Sequence, residues 1–144
     1  MAERTSSTIT IDATPAEVMA VIAGFEGYPE WTGEVKETEV LEVDEKIGRA
    51  VRVRFRLDAG VISDEHVLGY TWDDDREVRW TLVTSQMLKA LDGRYALRPI
   101  DGGTEVTYEL TVDVKIPMLG MLKRKAEKVI IDRALSGLKK RVES

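Results

Sequence analysis

The 144-residue sequence predicts an α+β protein in which a curved, seven-stranded antiparallel sheet wraps around one long C-terminal helix. Two short helices lie between the first and second strands. Three observations carry this. From Val35 to Lys115 the chain is strand-like almost without a break, and over Arg49 to Asp58 the alternation is sharp: Val51, Val53, Phe55 and Leu57 face one way, Arg52, Arg54 and Arg56 the other. A sheet with one wet face is antiparallel and covered on a single side. The last 28 residues, Pro117 to Ser144, read as one helix of ~40 Å, with Pro117 suited to its first turn. Between them and the N-terminus, only Asp12 to Trp31 has helical character.

In order, Thr5 to Ile11 alternates as a first strand. Thr14, Pro15 and Glu17 form a capping box that starts a helix reaching Ala23, with Val18, Met19 and Ile22 on one face. The run Gly24 to Pro29 breaks it, and Pro29 to Trp31 starts a second, shorter turn. Strands follow at Val35 to Val43, Arg49 to Asp58, Val61 to Trp72, Glu77 to Thr84, Leu88 to Arg98 and Thr104 to Lys115, separated by polar or Gly-containing turns. Asp92-Gly93 falls inside the sixth strand as either a hairpin turn or a bulge. Along the terminal helix Met118, Leu122, Ala126, Val129 and Ile130 fall on one side, and Ile131, Leu135, Leu138 and Val142 continue it. Arg133 shares the angular position of Met118, Leu122 and Val129. Either its stem lies over apolar surface with the guanidinium in water, or it is a fixed donor aimed into a cavity.

The totals exclude several classes of function. There is no cysteine and one histidine, His66, so disulfides and thiolate metal sites are ruled out, and no zinc site of the usual ligands, other metal or cofactor is expected. The polar start and the lack of a long apolar run predict a soluble, cytoplasmic protein of one domain, residues 1–144, without a transmembrane segment. The net charge of −5 divides into about +5 from residue 117 onward and −10 before it. An acidic body argues against DNA as a partner, while a basic terminal helix could still touch an anionic surface.

The residues also carry a family resemblance. Ile11-Asp12-Ala13-Thr14-Pro15-Ala16-Glu17-Val18 after a first strand, Tyr28-Pro29-Glu30-Trp31, Gly93-Arg94-Tyr95-Ala96-Leu97 and Gly103-Thr104-Glu105-Val106 resemble the START/Bet v1-like (SRPBCC) superfamily, in its bacterial polyketide cyclase/dehydrase-like branch. The resemblance spans nearly the whole chain and implies a helix-grip fold. It further implies a pocket between sheet and terminal helix for a lipid, quinone or polyketide-like molecule. It favours Gly93 as a point within a strand. It transfers no catalytic residue, and the glycine-rich loop of the plant allergen branch is absent: Asp44-Glu45-Lys46-Ile47-Gly48 stands in that place.

The candidate site residues follow from the strand faces. His66 shares a face with Asp64, Leu68 and Tyr70, and an imidazole there could move protons in an aldol or dehydration step. The alternative is a satisfied histidine at the rim. Phe55, Tyr70, Trp80, Tyr95 and Tyr108 occupy the apolar faces of successive strands, as plain core or as cavity wall. Three inward tyrosine hydroxyls favour a cavity, because buried phenols need partners. Trp31 with Met118 and Met121 is either a lid or a structural element, and Leu122, Val129 and Arg133 would complete the helix side. Asp73-Asp74-Asp75 is a solvated turn. Binding of a small hydrophobic molecule is the first reading. A polyketide cyclase acting through His66, Tyr70, Tyr95 and Arg133 is the second. A third is ribosome or membrane association through the basic helix, as the branch also implies. A weak homodimer through an edge strand or leftover helix face remains open.

Overall fold

The computed structural model describes residues 4–60, 62–115 and 120–144. Its elements are β1 (Thr5–Ile11), α1 (Pro15–Ala23), a 3-10 turn (Phe25–Gly27), α2 (Tyr28–Trp31), β2 (Val35–Asp44), β3 (Arg49–Asp58), β4 (Ser63–Asp73), β5 (Glu77–Ser85), β6 (Leu88–Ile100), β7 (Gly103–Val114) and α3 (Gly120–Glu143). The strands form one antiparallel sheet in the order β1-β7-β6-β5-β4-β3-β2, so the first strand closes against the last. This is the expected helix-grip arrangement. Pro117 at the helix start and Val61 at the β4 start lie outside the described residues.

Local chemistry explains the boundaries. Glu17 N donates to Thr14 Oγ1 at 3.2 Å and Thr14 N donates to Glu17 Oε1 at 3.2 Å, closing the capping box that launches α1. The β2–β3 ladder has irregularities at three points, between Val35 and Glu37, Val40 and Glu42, and Glu42 and Val43. Bulges of this kind bend a strand and increase its twist, which curves the sheet at that edge. Gly93 lies inside β6, paired with Trp80 and with Leu110, so the hairpin reading of Asp92-Gly93 is excluded. A Cβ there would stand 2.1 Å from Trp80 Cε2; only glycine lets the indole lie across the strand.

The two sheet faces separate as their alternation requires. On the outer face Arg54 Nε meets Glu39 at 2.9 Å and its NH1 reaches Glu65, while Arg56 Nε meets Glu37 at 2.6 Å. These cross-strand pairs are exposed and worth only a few tenths of a kcal/mol each. The concave face carries the core, including Val53, Phe55, Leu68, Val78, Leu97, Val106 and Val112.

Helix α3 sits on that face through Ala126, Ile130, Ile131, Leu135 and Leu138 of the expected apolar side, turned so that Leu122 and Val129 lie off it. Its buried residues are Ala126, Glu127, Ile130, Ile131, Ala134, Leu135 and Leu138, a stripe that includes Glu127. Glu127 is 0% exposed: its Oε1 accepts from Thr5 Oγ1 at 2.6 Å and its Oε2 from Val112 N at 2.7 Å. Among the described residues the β1–β7 ladder ends at the Thr5–Leu110 pair, and the Val112 N–H lies beyond it on that side. The helix carboxylate supplies the missing acceptor. Further along, the Trp31 carbonyl packs directly on Gly137, where a Cβ would be 1.5 Å from its oxygen. The end of α3 is tied down by Lys139 Nζ donating to Thr10 O and Asp12 N donating to Glu143, both at 2.8 Å.

Candidate functional site

The gap between the concave face and α3 encloses a cavity of about 70 Å³. Strands β3 to β7 supply Phe55, His66, Tyr70, Trp80, Tyr95 and Tyr108, six aromatic residues that the sequence places on inward faces. Tyr28 closes one end, Glu34 stands at the margin, and Ile130 and Ala134 form the helix side. Larger depressions, such as one of about 590 Å³ lined by Arg79, Arg94, Glu109 and Asp113, are open surface features.

The rings make one continuous network. Tyr95 and Tyr108 meet edge to face with centroids 4.5 Å apart, Trp80 lies 5.6 Å from both Tyr70 and Tyr108, and Phe25 packs behind Tyr70 at 4.8 Å. Tyr28 OH donates to Ile22 O at 2.5 Å. The hydroxyls of Tyr70, Tyr95 and Tyr108 have no hydrogen-bond partner among the described residues. Burial pushes the phenols of Tyr28, Tyr70 and Tyr95 well above their usual range, and repulsion among these neighbouring phenolates adds to it; burial alone raises Tyr108. All four therefore remain neutral hydroxyls at physiological pH.

His66 is 4% exposed, with its ring stacked on Phe55 at 5.9 Å. Nδ1 lies 3.3 Å from Asp64 Oδ2, off the line of a good hydrogen bond. Burial lowers the imidazole pKa, and the Asp64 carboxylate opposes that only in part. Asp64 is itself held by Ser85 Oγ on Oδ2 and by Met87 N at 3.1 Å on Oδ1.

Other expected site residues lie elsewhere. Trp31 is buried and packs on Tyr28 with centroids 4.7 Å apart, so it backs the wall without lining it. Met121 and Leu122 are 76% and 40% exposed, and Val129 is half-buried outside the lining. Met118 falls outside the described residues. The Arg133 side chain is 69% exposed and pairs with Glu34 at 3.6 Å, so of its two readings the guanidinium in water is the one found, and Arg133 is removed from the cavity-lining residues. The common cause is helix phase. Glu127 reads as a surface charge in sequence, yet it anchors the buried stripe, which turns the Leu122, Val129 and Arg133 side toward solvent.

Tyr28, Thr32, Glu34, Val35, Leu57, Leu68, Leu91, Leu110, Ile130 and Ala134 complete the wall and are not among the expected site residues. Leu110 shares the Tyr108 face by strand alternation, and Ile130 was already on the apolar side of the helix. Nothing in the sequence marked Tyr28 as a wall residue, since it sits in a Gly- and Pro-containing break.

This architecture has the features of a helix-grip ligand-binding protein: a curved sheet, one long helix and an aromatic cavity between them. Residues 2–143 match the family described as polyketide cyclase / dehydrase and lipid transport, and the chain belongs to that family. Similar solved structures include a START superfamily protein from Mycobacterium smegmatis, with a TM-score of 0.88, 21% identity and 97% of each chain covered. The Zhui aromatase/cyclase from Streptomyces sp. R1128 superposes with a TM-score of 0.79 at 15% identity, over 99% of this chain and 94% of that one. A protein from Thermus thermophilus gives 0.80 at 24% identity, over 98% and 97%. At these identities the likeness is one of fold. No curated protein matches the sequence of this chain. Among the described residues no helix is long and apolar enough to cross a membrane, and no group of three metal-ligating side chains forms.

Proposed function

We propose that the protein binds a small hydrophobic molecule in the cavity between the sheet and α3. The observation that carries this reading is the set of three buried tyrosines, Tyr70, Tyr95 and Tyr108, that line an otherwise apolar space with hydroxyls bonded to no described protein group. Water or a ligand in the cavity supplies the partners that the protein does not. The 70 Å³ holds a few waters, and even a single benzene-sized ring would widen it. Sites for larger ligands typically measure several hundred Å³, so a lipid or polyketide would widen this one. Denaturing organic extraction of the purified protein, with mass spectrometry of the extract and a native mass of the intact complex, tests the reading. A stoichiometric apolar compound is expected; a protein that carries none and gains no mass from a panel of lipids, quinones and aromatic polyketides would refute it.

A second reading, cyclase or aromatase activity, draws support from His66 and neutral phenols around the same space, a proton acceptor beside donors that could stabilise an enolate. Its test is turnover of a poly-β-ketone thioester: His66→Leu should abolish ring closure while leaving the fold intact, and an unchanged rate would exclude it. Association through the basic helix draws less support, since Lys128, Lys139 and Arg141 are paired with Asp132, Glu143 and Glu30.

A further inference from the structure

Beside the cavity, next to His66, stands a firmly held carboxylate that the binding reading leaves without a role. Asp64 is buried, and both its oxygens are taken from the tip of the β5–β6 hairpin: Oδ2 accepts from Ser85 Oγ, and Oδ1 from Met87 N at 3.1 Å. Ser85 Oγ in turn accepts from Leu88 N at 2.8 Å, so the clamp is itself braced. Against this fixed carboxylate, 3.3 Å from Oδ2, stands His66 Nδ1, sealed from solvent and without another partner. A lone pair on Nδ1 would face the carboxylate oxygen with repulsion, whereas a proton there is attracted. The neutral ring therefore carries its proton on Nδ1. Phe55, stacked on the imidazole, holds the ring plane.

The consequence falls on Nε2. It is the second nitrogen of a side chain that lines the cavity, and no described residue donates a hydrogen bond to it. In this tautomer it can only accept. The tyrosine hydroxyls around the cavity both donate and accept, so they do not discriminate between polar ligands. We propose that Asp64 is a positioning residue that makes His66 Nε2 an obligate acceptor on the cavity wall, and that the ligand is accordingly an apolar molecule bearing a hydroxyl group, a phenol or an enol. The inference rests on the reading of the cavity as a ligand site. A hydroxyl directed at Nε2 gains a hydrogen bond, while an isostere without one buries the lone pair unpaired; the difference is worth about ten-fold in affinity.

His66 is the only histidine, so its ring nitrogens give an unambiguous signal in 15N-correlated NMR. The expected spectrum shows the Nδ1–H tautomer near pH ~8, where the imidazole is neutral, with that population reduced in Asp64→Asn. Phenol and toluene, close in shape and only one ring in size, then probe the ligand. The ratio of phenol to toluene affinity should fall about ten-fold from the wild type to His66→Leu. An Nε2–H tautomer in the wild type, or an affinity ratio unchanged in His66→Leu, overturns the proposal while leaving the cavity as a binding site. Failure of both probes to bind the wild type strikes the binding reading instead and removes the ligand half of the proposal, while the tautomer still decides the role of Asp64. If Asp64→Asn fails to fold, the wild-type tautomer and the His66→Leu ratio decide the matter.

Discussion

Burial keeps the His66 imidazole neutral, and this ties stability to pH. The folded-state pKa lies below the unfolded value of about 6.5, so below that pH the unfolded chain takes up a proton that the folded chain excludes. The contribution of His66 is complete above pH ~6.5 and is lost as the pH falls toward the depressed folded value. One proton sets the ceiling on the slope, about 1.4 kcal/mol per pH unit. Across about pH 8 to 5, a range that brackets the unfolded pKa, the urea midpoint of the wild type should fall relative to that of His66→Leu; parallel curves would mean that the imidazole is not buried as described. Gly93 is a second position where one atom decides the wall. Adding a Cβ 2.1 Å from the indole of Trp80 forces that ring out of its place between Tyr70 and Tyr108. Gly93→Ala should cost about 1–3 kcal/mol, with a changed near-UV dichroism of the aromatic cluster, and a variant as stable as the wild type would show that the indole has room to move.

Among the elements, α3 shows what a sequence pattern conveys and what it leaves out. Its existence follows from 24 residues with no proline after the start, and its apolar content requires a sheet to cover. Its rotation does not follow, because periodicity ranks residues by polarity, and the buried stripe contains a glutamate. The reason is tertiary: among the described residues β1 begins at Thr5, with the Val112 N–H beyond the ladder, and no feature near Glu127 in sequence announces that vacancy. The strands were legible because period-two alternation is read directly, as Arg52, Arg54 and Arg56 opposite Val53, Phe55 and Leu57 illustrate. The six aromatic cavity residues came from the same alternation, whereas Arg133 and Leu122 were misplaced with the helix phase. If Glu127 anchors α3, Glu127→Ala orphans both Thr5 Oγ1 and Val112 N and should lose on the order of 3 kcal/mol. Glu127→Gln keeps an acceptor for the amide and should lose about 1 kcal/mol. Chemical denaturation distinguishes the two; equal losses would mean that the site needs charge and not merely an acceptor.

At the scale of the molecule, the cavity is smaller than the ligands its family suggests, so binding has to move something. The sheet is continuous from β1 to β2 and its inner face is rigid where the core is closed. Helix α3 is fixed on both sides of its two cavity residues: Glu127 holds it before Ile130, and the Trp31–Gly137 contact with the Lys139 and Glu143 bonds holds it after Ala134. The remaining wall runs from Tyr28 through Thr32 and Glu34 to Val35, a short helix end and a link to a strand with an irregular start to its pairing. The side-chain tie from Glu34 to the helix is a long pair with Arg133 at 3.6 Å, with the guanidinium largely in solvent and the pair therefore weak. Beyond Trp31, which packs on Gly137, residues 32–35 are held to α3 and the sheet by that pair and by the Asp58 N–Glu34 O bond at 2.7 Å, and a segment so lightly tied at the cavity edge opens at low free-energy cost. A ligand of one ring or more should thus displace residues 32–35, beyond the Trp31 contact, and leave α3 in place. Amide chemical-shift changes and hydrogen exchange on titration with a bulky apolar probe should concentrate in 32–35, and Arg133→Ala should speed the association. Changes concentrated along Ala126 to Leu138 would show instead that the helix lifts from the sheet, with the Glu127 anchor broken on binding.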